Sequence, residues 1–172
     1  FLWVHLNDPH APYDAPAPFA ARYSSSRYDG EVAYTDAAIA KLLAALRARK
    51  VYDDALIVVV ADHGESLGAH SEDTHGIFLY DETLQVPLVL KLPKNQMAGR
   101  RIAGRVRLVD VAPTLLEAAG LPIPPAMQGQ SLLRVARTSP NTDQPASALS
   151  DSPRLGFGWS ALESWRAGKY LL

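Results

Sequence analysis

Seven consecutive apolar residues, Ala55-Leu-Ile-Val-Val-Val-Ala61, run without a break into Asp62-His63-Gly64-Glu65. A β-branched run of this length, with no polar alternation, is the pattern of a strand covered on both faces, as in a parallel sheet. The abrupt change to acid, imidazole and glycine at its carboxyl end falls where α/β folds place their ligand-binding loops. A second strand-like run, Val86-Pro-Leu-Val-Leu-Lys-Leu92, carries its proline near the start, where a missing N–H is tolerated. A third apolar stretch, Phe1-Leu-Trp-Val-His-Leu6, reads as a short, largely buried strand stopped by Asn7-Asp8-Pro9.

Helices separate these runs. Val32, Thr35, Ile39, Leu42, Leu43 and Leu46 recur at spacings of three and four, which predicts a helix from about Gly30 to Lys50. Glu31 and Asp36 suit its positive end, and Arg47 and Arg49 its negative end. A second helix is expected from Asp110, as N-cap, to about Ala119, with Pro113 in its first turn and Gly120 beyond its last. Strand, helix, strand, loop, strand, helix is the order of an α/β fold with a mostly parallel sheet flanked by helices. Residues 94–104 are polar and basic and read as an exposed loop. Residues 136–150 are rich in Ser, Thr, Pro, Asn and Gln and read as a flexible linker or loop, and 151–172 as the start of a further subdomain holding one or two strands.

Composition narrows the function classes. With 172 residues and 48% apolar content the chain can build a domain-sized core. Lys+Arg 17 against Asp+Glu 18 gives a net charge of -1, which does not suit a protein that coats nucleic acid or anionic lipid. No stretch approaches the roughly 18 uninterrupted apolar residues of a membrane helix. Cysteine is absent, so disulfides, thiolate metal sites and a cysteine nucleophile are excluded within these residues. The chain opens at Phe1, inside an apolar run, and is expected to be a segment of a longer protein.

The polar chemistry is concentrated. His10, His63, His70 and His75, with Asp8, Asp62, Glu65, Glu72 and Asp73, fall into two short segments, 8–14 and 62–76. Asp62 and His63 are neighbours, and Gly64 permits a sharp turn that lets both reach one divalent cation. Two donors make an incomplete site, so others must come from elsewhere. A plain turn capped by Asp62 is the competing reading of Asp-His-Gly taken alone. His10 follows a proline in a loop and joins no apolar stripe, which favours a functional role. His5 is open between a core and a site role, His70 between an exposed and a supporting one. Glu65 either caps the next turn or orients His63 by a hydrogen bond. Lys91 reads as a strand-end charge.

Asp62-His-Gly-Glu-Ser-Leu-Gly-Ala-His70, Thr74-His-Gly76, Leu79-Tyr80 and Val86-Pro-Leu88 together resemble the metal-site segment of the sulfatase family of the alkaline phosphatase superfamily. His5-Leu-Asn-Asp-Pro-His-Ala-Pro-Tyr13, Tyr28 to Asp36, Val109 to Leu121, Gln128-Gly-Gln-Ser-Leu132 and Phe157-Gly-Trp159 match the same family in the same order. The resemblance implies an alkaline-phosphatase-like α/β fold, here incomplete, with residues 1–135 forming the C-terminal portion of the catalytic domain. It implies metal coordination by Asp62 and His63, and catalytic contacts to the transferring group by His10 and His75. His63 stands where sulfatases often have asparagine. His75 stands where they have lysine, and both substitutions occur in phosphoryl-processing relatives.

The reaction so implied is metal-assisted hydrolysis of a small-molecule or glycan sulfate ester, with Ca2+ the family's usual ion and Mn2+ or Zn2+ compatible with an imidazole ligand. The family's nucleophile is a formylglycine made from Cys or Ser in a Cys/Ser-x-Pro-x-Arg motif. That motif is not in these residues, so it is expected in a part of the protein N-terminal to them, and the 172 residues alone are expected to be inactive and to bind metal weakly. An exported or periplasmic setting is what the family suggests. Two alternatives stand beside this reading: a phosphonate or phosphodiester hydrolase or phosphoethanolamine transferase of the same superfamily, and a non-catalytic remnant that binds an anion or a partner.

Overall fold

The computed structural model describes residues 1–138 and 144–172. They fall into two compact units, Phe1–Ala55 and Leu56–Leu172.

The first unit is helical. A short helix, α1 (Phe19–Arg22), leads into α2 (Arg27–Ala48), the long helix that the apolar stripe predicts, begun one turn earlier than expected. Thr35, Ile39, Leu42, Leu43 and Leu46 are half-buried, while Val32 at the head of the stripe lies exposed. Aromatic contacts tie the proline-rich segment and α1 to α2. Tyr13 meets Tyr28 edge-on at 5.5 Å, and Phe19 lies 5.6 Å from Tyr34. Phe1–Leu6 departs from expectation: it joins no sheet among the described residues, and Phe1, Leu2 and Trp3 are largely exposed. An apolar run becomes a buried strand only where a sheet edge and a covering layer meet it.

The second unit is α/β. β1 (Ile57–Val60) pairs with β2 (Leu88–Lys91), with Ile57 opposite Lys91 and Val60 opposite Leu88. Between them stands the one-turn helix α3 (Asp81–Leu84). The β1–β2 pair is antiparallel, whereas the apolar run had suggested a parallel neighbour. The reason is that continuous hydrophobicity reports burial, not strand direction. Burial itself is incomplete, for Val60 and Val89 keep 39% and 58% of their surface exposed.

Helix α4 (Val111–Ala118) starts where expected, and Gly120 ends it in a left-handed conformation at φ 70°. Asp110 occupies the N-cap position, yet its side chain caps nothing in α4. It turns back, fully buried, and accepts hydrogen bonds from the backbone N–H groups of Arg107 and Gln130, both at 2.9 Å, and from the Arg107 guanidinium at 3.1 Å. Thr114, also fully buried, donates to the Asp110 carbonyl at 2.6 Å and accepts from Leu132 N–H at 2.8 Å. One hydroxyl, accepting from Leu132, and one carboxylate, accepting from Gln130, thus fasten α4 to the start of α5 (Leu132–Thr138). Leu132, Leu133 and Val135 on α5 are the unit's buried hydrophobic residues among those described.

Within 136–150, where composition suggests a linker, Ala136–Thr138 close α5 and Ala146–Ser150 form β3. Residues 139–143 of that stretch lie outside the described residues. Alternating burial along β3 shows why it is a strand despite its polar composition: its small side chains face inward at every second position. After α6 (Ser152–Phe157), β4 (Leu162–Ala167) pairs antiparallel with β3, and β5 (Tyr170–Leu171) with β4. These are the strands expected in the tail.

Candidate functional site

In the first unit, Glu31 does more than complement a helix end. Its carboxylate is buried and accepts the His10 N–H at 2.9 Å and the Asp14 N–H at 2.6 Å. One turn further along α2, the Thr35 hydroxyl donates to the Asp8 carbonyl at 2.9 Å. The proline-rich segment, which has few N–H groups of its own to make regular structure, is therefore pinned to α2 on both sides of His10. The His10 ring is held too, with Nδ1 2.7 Å from the Ala11 carbonyl oxygen. A carbonyl only accepts, so Nδ1 carries hydrogen and the basic lone pair of the neutral ring stands on Nε2. Glu31→Ala leaves the two backbone donors without this partner. It is expected to cost the first unit about 2 kcal/mol, with faster amide hydrogen exchange at His10 and Asp14 as the local check.

In the second unit, the chain leaving β1 bends at Asp62 and is caught at Gly64, whose N–H donates to the Thr83 carbonyl at 2.8 Å. The Asp62 side chain is 83% exposed, and its Oδ1 accepts the His63 N–H at 3.0 Å. His63 Nδ1 lies 2.9 Å from the Gly64 carbonyl oxygen, so it too carries hydrogen, and its Nε2 stands 3.8 Å from Asp62 Oδ1. The His63 ring stacks on that of His75, centroids 3.9 Å apart and planes inclined by 30°. His75 is in turn hydrogen-bonded through Nδ1 to Glu65 Oε1 at 3.0 Å. Asp62, His63, Glu65 and His75 thus form one cluster. The expectation that Glu65 would cap a turn or orient His63 is corrected: its partner is His75, because the loop folds back to bring residue 75 beside it.

That loop is built around Glu72, a carboxylate that pattern alone could not separate from the candidate ligands. It is buried and accepts from Ile77 N–H at 2.7 Å, Phe78 N–H at 3.3 Å and the Ser66 hydroxyl at 3.3 Å. Ser66 N–H reaches the Thr74 carbonyl at 2.7 Å. Two contacts from the C-terminal sheet, invisible in the sequence, complete the frame: Ser150 Oγ donates to the Gly76 carbonyl at 2.7 Å, and Arg166 pairs with Asp81. His70 stands apart, half-exposed, stacked on Tyr80 at 3.7 Å and 3.5 Å from Glu82.

The sulfatase family model matches residues 1–121. This chain belongs to the sulfatase family. Arylsulfatase K of Bos taurus is 33% identical over 106 residues, which are 62% of this chain and 19% of the relative. The N-acetylglucosamine-6-O-sulfatase of Bacteroides thetaiotaomicron is 34% identical over 115 residues, 67% of this chain and 20% of the relative. Among solved structures, the phosphonate monoester hydrolase SpPMH of Silicibacter pomeroyi superposes with a TM-score of 0.74 at 26% identity, covering 84% of this chain and 31% of the other. The alkaline-phosphatase-like α/β fold is shared with it. The chain thus spans about a fifth of the length of these two curated relatives.

Membership of the sulfatase family implies, in general, a divalent metal and formylglycine. The residues present fit a share of a metal site. Asp62 Oδ1 and His63 Nε2 are close enough to be adjacent ligands at roughly 2.0–2.6 Å each from one ion, and the Gly64 carbonyl sets the His63 tautomer that ligation requires. Among the described residues no group of three or more His, Cys, Asp and Glu side chains is placed to enclose an ion, and these two would make only part of a ligand set.

Proposed function

We propose that the protein hydrolyses a sulfate ester, with Asp62 and His63 contributing to the divalent metal site and His10 and His75 acting on the transferring group. The observation that carries this reading is the cluster at the end of β1: an exposed carboxylate and an imidazole 3.8 Å apart, with a second imidazole stacked on the first. A divalent cation, Ca2+ by family habit, supplies fixed positive charge against the ester's developing negative charge.

This chain's own residues do the rest of the work assigned to them here. Asp62 and His63 offer their oxygen and nitrogen to the ion without rearrangement, because the turn at Gly64 and the His63–Gly64 bond are set beforehand. His75 brings a second imidazole to the same cluster: with Nδ1–H held on Glu65, a proton taken up on Nε2 turns the ring into a donor that stabilises charge on a sulfuryl oxygen. His10, as the imidazolium with Nδ1–H held on the Ala11 carbonyl, gives its Nε2 proton to the departing alkoxide and is left as the neutral ring. The substrate is a small-molecule or glycan sulfate ester, the class to which the names of the curated relatives point.

A phosphonate monoester hydrolase is the second reading. It is favoured by histidine at 63 and 75 and by the likeness to SpPMH. The test of the first reading is turnover of an aryl sulfate by the complete natural protein, before and after exhaustive chelation. Turnover should fall by at least about 100-fold on chelation, since metal charge stabilisation contributes several kcal/mol, and return with added Ca2+. Turnover indifferent to the chelator contradicts it.

A further inference from the structure

The side chain of Glu65 is only 5% exposed, and no role in metal binding has been given to it above. A buried carboxylate needs compensating donors, and His75 Nδ1 faces Glu65 at 3.0 Å. We propose that Glu65 is a positioning residue that holds the neutral His75 ring in the tautomer protonated at Nδ1, so that its lone pair stands on Nε2.

Three observations carry this. A carboxylate oxygen accepts, so the nitrogen it faces must bear hydrogen. This is the tautomer that free histidine disfavours, and it takes a fixed acceptor to impose it. Both partners sit on anchored backbone: Gly64 N–H is bound to the Thr83 carbonyl, and Gly76, next to His75, is held by Ser150. Finally, the ring stacks on His63, whose Nδ1 is likewise tied, to the Gly64 carbonyl. The two imidazoles therefore share one arrangement, each with Nδ1 directed to an oxygen of the chain and Nε2 bearing the lone pair. A side-chain carboxylate performs for His75 what a backbone carbonyl performs for His63.

The catalytic consequence rests on the role proposed above for His75, but the hold of Glu65 on the ring does not. The test is therefore double. The complete natural protein is labelled with 15N in its histidines, His75 is assigned by His75→Asn, and the ring shifts are read in wild type, Glu65→Gln and Glu65→Ala. kcat and KM for an aryl sulfate are measured on the same samples. Wild type should be protonated at Nδ1. Glu65→Gln keeps an acceptor oxygen and should retain that tautomer and most of kcat. Glu65→Ala should release the ring to Nε2–H and lower kcat by about 10- to 100-fold with KM changed less than about twofold.

A wild-type ring protonated at Nε2 overturns the proposal whatever the variants do, including a Glu65→Ala that does not fold. So does a fall in kcat with the tautomer unchanged, or a change of tautomer with kcat intact. If no ester is turned over at all, the sulfatase reading fails while the wild-type ring shifts still decide whether Glu65 sets the tautomer.

Discussion

Asp62→Ala should lower sulfate ester turnover of the complete protein by about a thousandfold or more while leaving its stability within about 0.5 kcal/mol of wild type. The first figure follows from the part assigned to Asp62 in holding a cation whose charge stabilises the transition state by several kcal/mol. The second follows from exposure. The carboxylate keeps 83% of its surface in water, and it accepts a hydrogen bond from the neighbouring, exposed His63 N–H. Its removal orphans no buried group, and surface substitutions of this kind are near neutral for stability. Steady-state kinetics with a thermal or urea unfolding curve on the same preparation checks both halves. A variant that retains turnover, or loses it only in proportion to lost fold, contradicts the assignment.

Gly64→Ala should do the reverse and break the fold locally, with loss of function as a consequence. A Cβ at Gly64 would stand 2.0 Å from the Glu82 carbonyl oxygen and 3.0 Å from its carbon, atoms of a backbone that cannot swing aside as a side chain could. The Gly64 N–H bond to the Thr83 carbonyl, 2.8 Å long, would be pushed open with it. Overpacking against backbone costs about 3 kcal/mol or more. Because Asp62 and His63 precede this contact and Glu65 follows it, the His63–His75 stack should come apart as well. A marked fall in the unfolding midpoint, with loss of the histidine ring shifts of the native cluster, is the expected result. Unchanged stability would mean that the backbone of residue 82 stands clear of a Cβ at residue 64.

The contrast between these two neighbours explains how much of the site the sequence could reveal. Asp62, His63 and Gly64 stand at the end of an apolar run, so their position could be read from hydrophobicity alone, and a glycine between two ligating types signals a turn. The long helix and the helix after Asp110 were equally legible, since both rest on local spacing and on proline and glycine at their ends.

What could not be read depends on contacts between residues far apart in the chain. Glu31, Glu65, Glu72 and Asp110 are all carboxylates beside helices, turns or histidines, and nothing local separates a ligand from a staple. Only the fold shows that Glu72 binds the backbone of residues 77 and 78, that Glu65 faces residue 75, and that Asp110 turns toward Arg107 and Gln130 rather than into α4. Strand direction escaped for a related reason. The β1 run is apolar whichever way its neighbour runs, and the antiparallel ladder to β2 is written in the partner's path, which no periodicity records. The Phe1–Leu6 run carries the same apolar signal and forms no ladder within the described residues.

The central claim is that this cluster serves sulfate esters, and paired substrates test it most directly. kcat/KM of the complete natural protein should be measured for one aryl sulfate and for the phosphonate monoester bearing the same aryl group, under identical metal saturation. The account predicts a higher kcat/KM for the sulfate, with both activities lost together in Asp62→Ala. A clear preference for the phosphonate would overturn the sulfatase reading, and transfer the roles of Asp62, His63, His10 and His75 to phosphonate hydrolysis.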